Sequence, residues 1–132
     1  MDYVFYFLIC AALFAGIDLI WLGKVAKKFY RDQMGDLFVK KVVAGPAIAF
    51  YCLYIIGLLF FCLRPALAND SLLTAIGYGS LFGLIAYATY DLTNWATTQN
   101  WPPKLAVIDM LWGGVLSGTS ISLTFLLVHN WN

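Results

Sequence analysis

Charge is scarce in this chain. Charged residues make up 11% of its 132 residues and hydrophobic residues 62%, whereas a soluble domain is about 25% charged and about 45–50% apolar. The imbalance excludes an ordinary soluble domain and points to a membrane protein, with a length that suits one domain over residues 1–132. There are three cysteines, Cys10, Cys52 and Cys62, and none forms a C-x-x-C pair. Each lies inside an apolar run, so they read as small buried hydrophobes, with neither a disulfide framework nor a sulfur metal site. The one histidine, His129, sits near the C-terminus and reads as an interfacial residue. No histidine box or H-E-x-x-H is present, so di-iron and haem chemistry have no ligands here. P-loop, Rossmann, zinc-site and nucleic-acid motifs are absent as well, and no nucleic-acid partner is expected. The strict alternation that a β-barrel needs is missing. So is the basic leader of a signal peptide: the chain opens Met1-Asp2-Tyr3, and its first apolar run exceeds an ordinary signal core, so that run is expected to be a retained helix.

Four runs are long enough to cross a bilayer, which takes about 20 apolar residues. They extend from Tyr3 to Gly23, from about Val42 to Leu63, from Leu72 to Trp95, and from Leu105 to Val128. Lipid offers no partner to backbone polar groups, so the expected fold is an all-α, four-helix integral membrane bundle. Lys24, Lys27, Lys28, Arg31, Lys40, Lys41 and Lys104 fall on one side of it, and only Arg64 on the other. The positive-inside rule then makes the 24–41 loop cytoplasmic and both termini non-cytoplasmic. Tyr3, Trp101 and Trp131 suit the interfacial aromatic belts. Two readings of the basic loop stand. Val25, Phe29, Leu37 and Phe38 fit one face of an amphipathic helix, broken at Gly35, lying on the membrane surface. Alternatively the loop is irregular and its charges only set topology. Asn69-Asp70-Ser71 offers capping oxygens before the third run, Pro65 follows the end of the second, and Asn100-Trp101-Pro102-Pro103 makes a rigid turn that opens the fourth.

Three aspartates lie inside the apolar runs: Asp18, Asp91 and Asp109. Each precedes a tryptophan (Trp21, Trp95, Trp112) by three or four residues, on neighbouring positions of one helical face. The topology sets all three at similar depth near the cytoplasmic end. One unpaired aspartate at a helix centre costs roughly 2.5–3.5 kcal/mol, and three would approach the whole stability of a small domain, about 5–15 kcal/mol. They are therefore expected to face the bundle interior and meet. Small and polar residues follow the same faces. Gly79, Gly83, Tyr87 and Asp91 are spaced by four, with Asn94 and Thr98 beyond them. Asp109, Gly113 and Ser117 are likewise spaced by four, with Ser120 and Thr124 beyond. These stripes, together with Gly114-x-x-x-Gly118, predict close helix approach.

Several roles fit such a cluster. In the first, the aspartates act on a lipid-like or other membrane-soluble molecule, as general acid and base, with Trp21, Tyr87, Asn94, Trp95, Trp112 and Ser117 as candidate binding residues. A metal held by Asp18, Asp91 and Asp109 would be Mg²⁺, Mn²⁺ or Ca²⁺ rather than Zn²⁺; no cofactor is assigned. A small proton- or cation-coupled transporter, working as a homodimer, is an alternative. The shared Asp-then-Trp ending of runs one and three gives it the look of a parallel repeat. A scaffold subunit that docks through its basic loop is another. In a purely structural role the aspartates would lock helices together, with Trp, Asn or Thr as donors, or with Lys24, Arg31 and Lys104 as partners.

The combination Asp18-Leu19-Ile20-Trp21-Leu22-Gly23, Tyr90-Asp91-Leu92-Thr93-Asn94-Trp95-Ala96-Thr97 and Asp109-Met110-Leu111-Trp112-Gly113 resembles an uncharacterised bacterial family of four-helix membrane proteins, DUF2177. The resemblance spans essentially the whole chain. It implies a multi-pass protein of the bacterial inner membrane and supplies no reaction, cofactor or catalytic residue.

Overall fold

The computed structural model describes residues 2–25, 27–34 and 43–130. Gly35, Leu37, Phe38, Lys40, Lys41, Val42 and Trp131, and the readings placed on them, lie outside the described residues. Among the described residues all regular structure is helical: α1 (Asp2–Ile20), α2 (Lys27–Met34), α3 (Ala44–Leu58), α4 (Arg64–Asn69), α5 (Leu72–Thr97) and α6 (Pro103–Val128). Widened π-helical turns continue α1 through Trp21–Val25 and join α3 to α4 through Leu59–Leu63. Four helical stretches, Asp2–Lys24, Ala44–Ala68, Leu72–Thr97 and Pro103–Val128, are long and apolar enough to cross a membrane. At 1.5 Å per residue, 26 residues span about 39 Å, more than the ~30 Å hydrocarbon core.

The second span runs on past Pro65, where the sequence suggests an end. A proline lacks its N–H and crowds the carbonyl of the turn before it. The π-helical turn opens the helix just ahead of Pro65, and the Arg64 N–H reaches back to the Leu59 carbonyl. The helix stops instead at Asn69. Asp70 takes left-handed backbone angles (φ 48°), and the Ser71 N–H returns to the Ala66 carbonyl at 3.0 Å. Ser71 then caps α5 by accepting from the Thr74 N–H at 3.1 Å, as expected. At the other end of α5, Asn100 (φ 63°) and the Pro102-Pro103 pair turn the chain directly into α6.

α5 and α6 form the most extensive interface, and α1 packs on α6 and α3. The small-residue stripes make the α5–α6 contact. A Cβ on Gly79 would lie 2.5 Å from Ile121 Cγ2 and 3.1 Å from Gly118 Cα, and one on Gly83 would overlap the backbone carbonyl of Gly113. The Tyr87 ring lies against Gly113 in the same way. Phe14, Ile55, Leu58, Leu63, Leu116 and Ile121 fill the rest of the core. Leu8, Leu53, Leu73 and Val107 point outward, a surface suited to lipid and unsuited to water.

Two details depart from the sequence reading. Cys10 and Cys62 are buried free thiols, but Cys52 is exposed, on an outer face of α3 with Ile48 and Ile56. An apolar run does not mark its buried side when the surroundings are themselves apolar. Trp101, read as an interface anchor, is buried in a second small core with Tyr30, Leu105 and Ala106. That core docks α2 on the end of the bundle. The described part of the basic loop is therefore helical, with Tyr30 turned into protein and Lys27, Lys28 and Arg31 exposed.

Candidate functional site

The three intramembrane aspartates lie under two helical turns from the same end of their spans. Asp18, from α1, is 6% exposed. Its Oδ2 accepts from the Tyr51 hydroxyl at 2.7 Å and its Oδ1 from Trp112 Nε1 at 3.1 Å. Asp18 thus joins α1, α3 and α6. The Trp112 indole stacks on Trp21, with ring centroids 4.4 Å apart and planes 10° apart. Trp21 Nε1 donates to the Tyr30 hydroxyl at 3.2 Å, and Tyr30 donates to Asp109 Oδ1 at 2.8 Å. Burial, above all, pushes the Tyr30 hydroxyl well above the ordinary tyrosine range, so it remains a donor at neutral pH. A continuous chain of contacts therefore links Asp18 to Asp109.

Asp91 has a different setting. It is 1% exposed, and neither carboxylate oxygen has a hydrogen-bond donor among the described residues. Its carboxyl group faces that of Asp109 instead. Lys24, Arg31 and Lys104 are all exposed, and none pairs with Asp91. Two neighbouring carboxyl groups withdrawn from water form a strong attractor for positive charge.

Two cavities share Asp109 as a wall, and Asp91 lines one of them. A cleft of about 150 Å³ is lined by Tyr30, Tyr90, Asp91, Trp101, Leu105 and Asp109, among others. A groove of about 360 Å³ is lined by Phe50, Tyr54, Ala86, Tyr87, Tyr90 and Asp109. Tyr90 and Asp109 belong to both walls. Phe50 and Tyr90, on the groove, are exposed on the outside of the bundle. A further groove, about 590 Å³ between α1 and the second span, is at the opposite end and includes Arg64 in its lining.

Among the residues picked out from the sequence, Asp91 and Asp109 meet directly, while Asp18, Trp21 and Trp112 join them through Tyr30. Tyr87 lines the groove. Ser117 is buried and shares a 2.7 Å hydrogen bond with the Tyr54 hydroxyl. Asn94 is half-buried and takes no part in these contacts, and Trp95 is 42% exposed on the outer surface. The indoles do not bond the aspartate of their own helix: Trp112 serves Asp18, and Trp21 serves Tyr30. Among the described residues no three His, Cys, Asp or Glu side chains are close enough to hold a metal together. The three aspartates are a facing pair and a separately bonded third.

Tyr30, Tyr51, Tyr54 and Tyr90 were not singled out as site residues from the sequence, and Trp101 was read only as an interface anchor. Tyr51 and Tyr54 carried a usable signal, since a tyrosine hydroxyl within an apolar helix needs a partner. Tyr51→Phe leaves Asp18 with the indole alone and is expected to destabilise the bundle by about 1–3 kcal/mol. Unfolding in detergent checks this, with Tyr78→Phe, an exposed tyrosine, expected to be neutral.

Comparison with curated proteins and with solved structures finds no match. A family model does match, over residues 3–126, and its description is predicted membrane protein. By that match, and by its four apolar helices, the chain belongs to the DUF2177 family of membrane proteins.

Proposed function

We propose that this protein holds a lipid-like small molecule at the carboxylate end of its bundle, in the cytoplasmic leaflet of a bacterial inner membrane. The orientation follows from the basic residues, seven of the eight being at that end or in its loops. The observation that carries the reading is the shared wall of the two cavities. Asp109 and Tyr90 line both the acidic cleft and the aromatic groove. A polar headgroup in the cleft and an apolar chain in the groove would make one continuous ligand, entered from the lipid side past Phe50 and Tyr90. Binding sites of this kind combine apolar walls with a few convergent polar groups. The Asp18–Tyr51–Trp112 contacts hold α1, α3 and α6 around the site and are assigned a positioning role.

Native mass spectra of protein extracted gently with its lipids test the reading. A defined small-molecule adduct is expected on the wild type. It should be lost on Asp91→Asn, which changes the cleft, and on Ala86→Phe, which fills the groove. Protein that carries nothing in any of the three forms would overturn the reading. It would favour the alternative, transport of a weakly held proton or cation through the same carboxyl pair.

A further inference from the structure

We infer that the headgroup taken by the Asp91–Asp109 cleft is an ammonium, so that the ligand is a cationic amphiphile. The inference rests on the lipid-binding reading of this site and adds its chemical class. Its basis is the state of Asp91, which is 1% exposed, lines the cleft and offers two carboxylate oxygens that no described residue satisfies. Asp109 uses one oxygen for the Tyr30 hydroxyl, and its other accepts no hydrogen bond from the described residues. These three oxygens take no donor from any other described residue, and the two carboxyl groups lie close enough to share one proton. A primary ammonium has one positive charge and three N–H donors, and it answers that set donor for acceptor.

The remaining walls favour an organic cation. Tyr30, Tyr90 and Trp101 surround the carboxyl pair in the cleft, and aromatic rings attract an ammonium through their negative faces. Tyr90 and Trp101 hold each other edge to face, with centroids 5.6 Å apart and planes at 80°. A divalent metal ion would find only these two carboxyl groups, since no third carboxylate, histidine or cysteine among the described residues joins the pair, and would take its other ligands from water. An anionic headgroup would be repelled by the carboxyl pair, and an uncharged one would offer donors without the opposite charge. The apolar groove continuing from Asp109 along Tyr87, Ala86, Tyr54 and Phe50 then takes the chain.

The test titrates three probes of equal chain length into the full-length protein in uncharged maltoside micelles: dodecylamine, dodecanol and dodecanoate. Tryptophan emission is the readout, since Trp101 lines the cleft. Dodecylamine is expected to saturate at a mole fraction roughly tenfold or more below dodecanol, with dodecanoate weaker than either. Asp91→Asn should remove the advantage of the amine over dodecanol, and Ala86→Phe should weaken both. Equal saturation by amine and alcohol, blocked by Ala86→Phe, would overturn the ammonium assignment and leave lipid binding standing. An amine preference that persists in both Asp91→Asn and Asp109→Asn would overturn it too, because the preference would then not arise at the pair. No saturable binding by any probe would remove the lipid reading together with the inference.

Discussion

Gly83→Ala is expected to abolish most of the folded bundle, whereas Gly77→Ala on the same helix is expected to be harmless. A methyl group at residue 83 would overlap the backbone carbonyl of Gly113 and crowd Ser117 Oγ. Backbone cannot rotate away as a side chain can, so α5 and α6 must separate along their closest approach. Overpacking of a well-filled interior costs about 1–3 kcal/mol, and more where the neighbour is rigid. Separation would also loosen the Gly79–Gly118 contact and the seat of Tyr87 on Gly113, so the expected loss is above about 3 kcal/mol. A Cβ at Gly77 meets nothing within 4 Å, and alanine there should gain about 0.5–1 kcal/mol from helix propensity. The fraction of folded protein in detergent, followed by circular dichroism against temperature or denaturing surfactant, separates the two. Equal tolerance of both substitutions would refute the close approach of these helices.

The second large effect runs the other way. Asp91→Asn is expected to make the protein more stable than the wild type, by about 1–3 kcal/mol, while removing the ligand proposed above. A buried carboxyl group beside a second one is destabilising because its desolvation is uncompensated and the two cannot both be charged at little cost. An asparagine of nearly the same shape brings an N–H₂ group that can donate to Asp109. A costly group at a position where a neutral isostere fits better accords with the binding role proposed for Asp91. Thermal unfolding of wild type and variant in the same detergent measures the sign. A variant less stable than the wild type would make Asp91 a structural residue, and Asp91→Leu would then be worse still. Asp18→Asn supplies the contrast. Asp18 is fully engaged by Tyr51 and Trp112, so losing its charge weakens bonds already made.

Much of this was legible in the sequence because it depends on distance along the chain. Run length places the spans, and the register of aspartates against basic loops places Asp18, Asp91 and Asp109 near one end. Spacing by four marks Gly79, Gly83, Gly113 and Ser117 as a close interface, and Ser71 and Pro103 mark helix starts. The path through Pro65 was not legible, because a π-helical turn is a compensation that carries no composition of its own. Nor was the exposure of Cys52: in a soluble helix the apolar face identifies the core, but here lipid is as apolar as the interior. The tryptophan motifs were visible as local patterns, yet their partners lie on other helices. Which indole reaches which carboxylate depends on how far each helix is rotated about its axis, and the glycine contacts of α5 and α6 fix that rotation. The amino-acid sequence by itself therefore determined the spans, the depth of the aspartates and the faces that pack closely. Only the tertiary structure decided that Asp91 is left without a donor while Asp109 accepts from Tyr30 and Asp18 is fully bonded, because that outcome depends on Tyr30 and Tyr51, brought in from segments far away along the chain.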